Sequence, residues 1–351
     1  MAISTQDRRS AIGSDRSSRI LIVGAGPTGL SAALELARRG FNPRIIDAHP
    51  VPSTESRAVG LNSRSLEILE TSGVAERLLA TGRRIGRVDF WVKEGLAGSV
   101  DLTRLRHRYN YLLMLPQDAT ESILAQRLLQ FGVTVERPVV ARSAVDLGGA
   151  VSAVLDEGFR KTVELFSAVI GANGTDSMIR HAAGIPFHAF EYENYWGVAE
   201  YEVANWPYDF DSLSIFLNAR GQFGMAAGVA ADRYRFVANA PKPRFQVPGS
   251  YNVRRTLSEV SFSVRVGQSD HCQAHNQIFL AGDAAHVHAP IGGRGMNLGI
   301  EDAAVLAQLF EEDRLERYTA LRRPIATAAI HGTYRRTALT SHAHPAFRGV
   351  L

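Results

Sequence analysis

The chain has 351 residues, 45% hydrophobic and 21% charged, the proportions of a folded globular protein with room for two domains or for one domain carrying an insertion. Its 39 Lys and Arg against 35 Asp and Glu leave a formal charge of +4, dispersed along the chain, which excludes the basic stripe with aromatic platforms expected of a nucleic-acid binder. One cysteine, Cys272, excludes an intramolecular disulfide, a CxxC pair and a cysteine zinc cluster, and apolar runs as short as Tyr111–Pro116 exclude a membrane-spanning helix.

Residues 1–18 are polar, rich in Ser and Arg, and lack the apolar core of a secretory signal; they read as a disordered tail. The single cysteine fits a reducing, cytoplasmic setting. A short apolar run over 19–23 predicts a buried strand, 30–39 a helix of small apolar residues, and 43–47 a second strand, a βαβ opening that favours a parallel sheet. Between them Gly24, Gly26 and Gly29 stand in GxGxxG spacing, with Pro27 and Thr28 completing the turn. Gly24 permits the tight turn, Gly26 lets backbone approach a pyrophosphate, and Gly29 lets helix and strand pack closely. The helix N-terminus offers free N–H groups to that phosphate. Asp47 ends the next strand, 18 residues beyond Gly29, where a carboxylate can accept ribose hydroxyls. A dinucleotide is therefore expected, with FAD and NAD both open at this point.

Further along, 63–72 reads as a helix ended by Gly73, and 118–131 as an amphipathic helix whose Asp118 and Glu121 have capping-box spacing. Residues 182–269 change character: aromatic, Val and Ser content rises and turn signals recur, which predicts an antiparallel sheet of some five strands. From Ile278 the strand–turn–helix grammar returns, with helices expected near 296–311 and 313–330. Asp283 sits at the carboxyl end of that strand, where open α/β sheets bind ligands. Gly292, Gly293 and Gly295 shape a loop before a helix beginning near Met296, whose free N–H groups can hold an electron-rich oxygen.

The GxGxxG turn followed much later by "GDAAHVHAPIGGRGMNLGIEDAAVLA" resembles the class A flavoprotein monooxygenases, the para-hydroxybenzoate hydroxylase-like aromatic hydroxylases, over about residues 19–330. The resemblance implies an α/β fold, a Rossmann-type FAD-binding domain (19–82, 100–181 and 270–330) with an inserted antiparallel β-sheet substrate domain (83–99 and 182–269), and a C-terminal tail over 331–351. It implies FAD, with Asp283 on the ribityl chain, Pro290 beside the flavin ring, and the Met296 and Asn297 backbone N–H groups facing the pyrimidine oxygen. Arg57 and Gln117 match the family's contacts to the phosphate and sugar region. NAD(P)H is implied as a co-substrate that visits a groove, reduces the flavin and leaves. An aromatic or phenolic small molecule is then hydroxylated through a flavin hydroperoxide.

The family's Asp-Gly motif appears here with Asn173 in place of the aspartate, while Gly171, Gly174, Ser177 and Arg180 keep the remaining pattern. Asn keeps an acceptor, gains a donor and loses charge, which bears on the grip on the nicotinamide cofactor. Arg294 stands where many relatives carry Gln; it suits either an anionic reduced flavin or solvent. Aligned on the family, Phe216 stands at a phenol-activating tyrosine and Gly228 at a carboxylate-binding arginine, so a more apolar pocket lined by Phe216, Phe223 and Met225 is expected, with plain sheet core as the alternative. His286 and His288 read as packing or hydrogen-bonding residues, without a third ligand type for a metal. No catalytic side chain is assigned, because in such enzymes the flavin carries the hard chemistry. Two other readings stay open: a reductase or dehydrogenase of the same fold, and a flavin-binding protein without turnover.

Overall fold

The computed structural model describes residues 19–53, 58, 60–93, 95–218, 222–290 and 292–341. A six-stranded sheet runs in the order Gln273–Ala274, Ile278–Leu280, Ala168–Gly171, Ile20–Val23, Pro43–Ile46, Val135–Glu136. Every neighbouring pair is parallel except the first. Ile20–Val23, Ala168–Gly171 and Ile278–Leu280 are buried throughout, which is why they read as unbroken apolar runs: helices cover both faces of a parallel sheet. The strand order reverses at Ile20–Val23. Chain to its one side continues to Pro43–Ile46, and to its other side lies Ala168–Gly171. The crevice at such a switch point opens at the strands' carboxyl ends, and there the Gly24 turn begins.

Helix Pro27–Arg38 starts with proline at its first turn, where the missing N–H costs nothing. It crosses helix Gly295–Glu312 at Thr28, whose side chain so closely abuts Gly282 and Gly299 that a Cβ at either would overlap it. The first turn, the Gly282 turn and the last motif's helix are thereby locked together.

A second sheet has eight strands in the order His286–Val287, Asn252–Ser269, Phe187–Ala204, Arg233–Ala238, Phe223–Ala230, Ser212–Leu217, Arg87–Val92, Gly95–Asp101. Five strands do arise within 182–269; three more join from outside it. The sheet is not wholly antiparallel, since Ser212–Leu217 runs parallel to Arg87–Val92. Of the segment 83–99, Arg83–Ile85 pairs instead with Leu112–Met114 in a small three-stranded sheet, and the strand from Gly95 continues to Asp101.

Two further expectations are corrected. The helix after Pro116 begins at Gln117 with Pro116 as its N-cap and no side-chain cap, so Asp118 and Glu121 form no capping box; Glu121 accepts from Gln117 Nε2 instead, at 2.8 Å. The last helix, Tyr318–Ser341, runs through Pro324 and beyond 330, so 331–341 is helical. The expected tail at 1–18 and residues 342–351 lie outside the described residues. Among the described residues no helix is long and apolar enough to cross a membrane.

Candidate functional site

One cavity of about 2470 Å³ runs from the Gly24 turn to the face of the eight-stranded sheet. It is several times the ~300–1,000 Å³ of an ordinary small-molecule pocket, so it has room for more than one ligand. Gly24, Gly26, Pro27, Thr28, Asp47, Gln117, Asp283, Pro290, Gly293, Gly295, Met296, Asn297, Phe223 and Met225 all line it. Gly29 and Phe216 do not, and Arg57 lies outside the described residues.

The three glycines of the first turn meet different surroundings. Gly24 has φ +104°, and a Cβ there would lie 2.8 Å from Asn173 Cα. A Cβ on Gly29 would overlap the Gly24 carbonyl. Gly26 has nothing within 4 Å of a built Cβ: its bare side faces open cavity at the N-cap of Pro27–Arg38. That is a cradle a side chain would fill, beside unpaired helix N–H groups, and it fits a pyrophosphate.

Asp47 is fixed before any ligand arrives. Its carboxylate accepts from Ala25 N at 2.7 Å and His49 N at 2.8 Å, and pairs with Arg137 at 2.8 Å. Glu121 lines the cavity beside this group, and burial raises its pKa against the bond from Gln117 and the charge of Arg137. Arg137 and the role of Glu121 were not read from the sequence; they reach Asp47 from chain about 90 and 74 residues away, and only the parallel pairing of Val135–Glu136 with Pro43–Ile46 brings the arginine there.

At the other motif, the first intrahelical bond of Gly295–Glu312 is Leu298 N to Arg294 O, at 2.9 Å. The N–H groups of Gly295, Met296 and Asn297 therefore precede the helical ladder. The Asn297 side chain is structural: it accepts from Asn62 N and Ser65 Oγ and donates to the Gly60 and Gly293 carbonyls. Asn173 also lines the cavity, with its side-chain oxygen accepting from Ser177 Oγ at 2.7 Å. Buried Arg180 donates to the Ala284 carbonyl at 2.9 Å and stacks over Phe187, tying this motif to the Asp283 turn.

Behind that turn lies a buried polar chain. Asp302 accepts from Gly282 N (2.9 Å) and Arg322 Nε (2.6 Å) and faces His286 Nε2 at 2.6 Å. His286 Nδ1 in turn meets His288 Nε2 at 3.0 Å. Among the described residues no cluster of His, Cys, Asp and Glu could hold a metal.

On the sheet, residue parity decides what the cavity meets. Leu213, Ile215 and Leu217, with Phe223 and Met225, face the cavity. Phe216 is wholly buried on the opposite face, in a cluster with Tyr201, Tyr234 and Phe236, its ring 4.9 Å from Tyr208. Gly228 also faces away, where a Cβ would overlap the Phe210 ring. The expectation that Phe216 lines the pocket is corrected, and so is the placing of Gly228 there; a one-residue register difference moves a strand's side chains to the other face. Phe216→Ala is accordingly expected to cost about 3–5 kcal/mol of stability while leaving ligand affinity unchanged. Chemical denaturation alongside ligand titration measures both; an altered affinity at unchanged stability would contradict the assignment.

A family model described as FAD binding domain matches residues 17–248 and 249–333. Pentachlorophenol 4-monooxygenase of Sphingobium chlorophenolicum is 29% identical over 353 residues, covering 93% of this chain and 65% of that protein. 6-Methylpretetramide 4-monooxygenase of Streptomyces rimosus is 29% identical over 357 residues, covering 92% and 62%. This chain thus spans somewhat under two thirds of the length of these curated relatives. The solved structure of p-nitrophenol 4-monooxygenase from Pseudomonas putida superposes with a TM-score of 0.83 at 19% identity, covering 95% of this chain and 91% of that one, and so shares its fold. A family match that takes in both glycine loops and the sheets on either side of their common cavity places the chain in the FAD binding domain family.

Proposed function

We propose that this protein is an FAD- and NAD(P)H-dependent monooxygenase that hydroxylates a phenolic substrate, and that the substrate is large, with fused or multiple rings. The observation that carries this is the single cavity joining the dinucleotide cradle to a broad apolar floor. Bound FAD supplies the redox chemistry, so that NAD(P)H, a proton, dioxygen and the arene give NAD(P)⁺, water and the phenol. Gly26 and the N-terminus of Pro27–Arg38 hold its pyrophosphate, Asp47 its ribose, and Asp283 with the N–H groups of Gly295, Met296 and Asn297 the flavin end. The relatives named above are monooxygenases of pentachlorophenol, 6-methylpretetramide and p-nitrophenol, which supports the class.

In this reading the chain's own work is placement and exclusion of water. Leu213, Ile215, Leu217, Phe223 and Met225 offer a flat apolar surface with few donors or acceptors, suited to ring faces rather than to a carboxylate. No charged side chain stands at position 216 or 228. The eight-stranded sheet acts as the substrate domain and keeps the reacting carbon dry. A flavin-binding protein without turnover is the second reading, favoured by Asn173 where the Asp-Gly motif of the family it resembles has aspartate.

The test is NADPH and NADH consumption by the FAD-loaded protein in air, with one-ring phenols and with polycyclic phenols and quinones. Acceleration by a polycyclic compound, with a raised KM in Phe223→Ala, is expected. Flavin that no reductant reduces with any compound would favour the second reading.

A further inference from the structure

Away from the cavity, strands Val140–Asp146, Val151–Asp156 and Lys161–Phe166 form a three-stranded antiparallel sheet. Its inner side, with Ala144, Val151, Ala153, Leu155 and Phe166, is buried in the main core. On its outer side the register sets Leu165, Ser152 and Val145 in one row and Val163, Val154 and Ser143 in the next. Val163 is 71% exposed, and Val145 and Leu165 are more than half exposed. Leu147, in the connection after the first strand, is also more than half exposed, and Phe159, in the connection after the second, is 91% exposed. These five lie within the 21 residues from 145 to 165, yet they are five of the 17 exposed large apolar side chains among the described residues. Single exposed leucines are ordinary on a protein surface, whereas a contiguous group marks an interaction site. We propose that this face is a dimerisation surface for a second copy of this chain, related by a two-fold axis that lies between the faces and across the strands.

Area and self-complementarity both favour a second copy. Five such side chains offer on the order of 500 Å² of apolar surface, the upper end of what a monomer leaves exposed. Two copies closing face to face remove about 1,000 Å², the least that a specific interface buries. Sheets packed in this way interdigitate the side chains of their facing rows. In a two-fold pairing, residue i meets j while j meets i, so the two ends of the face must complement each other. At the Phe159 end Arg142, Arg160 and Lys161 stand against Asp156 and Glu157. Asp156 pairs with Arg142 at 3.1 Å and with Lys161 at 3.9 Å, and one positive charge remains. The opposite end, at Leu147, carries Asp146. Strands running antiparallel across the axis therefore set Phe159 of one copy over Leu147 of the other, and the positive end over the Asp146 turn, twice in each dimer. Copies placed with like ends together would stack like charge.

The competing occupant is the chain's own N-terminal segment. Residues 1–18 join the fold beside this sheet at Arg19, which pairs with Glu164 at 2.8 Å and lies over the Phe166 ring. Their only large apolar side chains are Met1, Ile3 and Ile12, too few to cover both rows and both ends. A second copy brings five. An interface at the lower limit of area binds weakly, with a dissociation constant on the order of 10 µM.

Sedimentation of the FAD-loaded protein from about 1 to about 200 µM should show monomer passing to dimer around that constant. Val163→Asp and Leu165→Asp, each at an exposed position, should raise it at least ~10-fold while melting temperatures in dilute solution stay unchanged. Leu129→Asp, at a comparably exposed leucine of helix Gln117–Gln130, should leave it as it was. Cross-linking with a bismaleimide reads the direction of the pairing. Cys272 is buried and its thiol pushed up to about 12, so only introduced cysteines react. Leu147→Cys and Phe159→Cys together should give a covalent dimer, and either alone should not. A protein that stays monomeric to about 200 µM, or a dimer that both aspartates leave intact, would overturn the proposal. So would a monomer in which hydrogen exchange at Val163–Leu165 is slow and speeds up when residues 1–18 are deleted, since the N-terminal segment would then cover the face. Cross-linking through Phe159→Cys alone would overturn the antiparallel arrangement.

Discussion

The Gly26→Val protein is expected to purify folded but without FAD, whereas Gly29→Ala is expected to lose stability and cofactor together. Both positions belong to one motif, yet their surroundings differ. A side chain at Gly26 meets nothing within 4 Å and sits at an N-cap with φ −75°, so valine costs the fold only about 1 kcal/mol as a poor cap. It does fill the cradle, and an overlap of about 3 kcal/mol with the pyrophosphate lowers affinity ~100-fold. At Gly29 even one methyl collides with the Gly24 carbonyl, a backbone atom held by the Gly24 N to Ile46 O bond across the sheet. Overpacking of this kind costs about 1–3 kcal/mol or more. Thermal melts of the cofactor-free proteins and fluorometric titration with FAD separate the two cases. Equal stability losses would show that the cavity near Gly26 is not open.

Removal of the Asp302 carboxylate is expected to be among the most damaging single changes in the chain. Asp302→Ala strips the partner from Arg322 Nε, from Gly282 N and from His286 together. Among the described residues it leaves Arg322 with Glu301 alone as a carboxylate partner, at 3.5 Å. Breaking a buried pair from one side costs about 3–5 kcal/mol because the remaining charge is uncompensated. The pH dependence has two limbs. Asp302 is held at about 2 rather than 3.8, so its contribution is full above about pH 4 and is lost as pH falls toward 2. His286 is shifted up, so its contribution is full below about pH 6.5 and is lost as pH rises through its folded value. Denaturation midpoints across pH should show both limbs in the native protein, and in Asp302→Ala no alkaline limb and a shallower acid limb, since Glu35, Asp89 and Glu164 are also held below their ordinary range by their arginine partners against burial. A variant that keeps the alkaline limb would mean that His286 is held by some other group.

What could be read in advance followed from local backbone requirements. The two glycine loops announce themselves because a left-handed turn and a close helix–strand approach demand glycine at a fixed offset, as at Gly24 (φ +104°), Gly293 (φ +57°) and Gly29, whose Cβ would overlap the Gly24 carbonyl. Buried parallel strands such as Ile20–Val23 are legible because a strand covered on both faces keeps an unbroken apolar sequence. Parity on the eight-stranded sheet was not legible. Phe216 and Ile215 are both apolar, and only the pairing of Ser212–Leu217 with its neighbours decides which of them meets the cavity. That pairing includes a parallel partner from 87–92, outside the segment whose composition signalled a sheet. Long-range polar partners were equally hidden. Arg137 at Asp47, and Asp302 with Arg322 at His286, depend on how distant helices and strands dock, so the histidines could be read as hydrogen-bonded while their partners could not be named.

The account stands or falls on whether one atom of dioxygen reaches an aromatic ring in this cavity. The most direct measurement is mass spectrometry of the product formed by the FAD-loaded protein with NADPH under isotopically heavy dioxygen, using the compound that most accelerates NADPH consumption. The account requires a product carrying a single heavy oxygen, with the other atom in water and loss of the product in Gly26→Val. NADPH consumed in step with hydrogen peroxide, and an organic compound recovered without heavy oxygen, would contradict it.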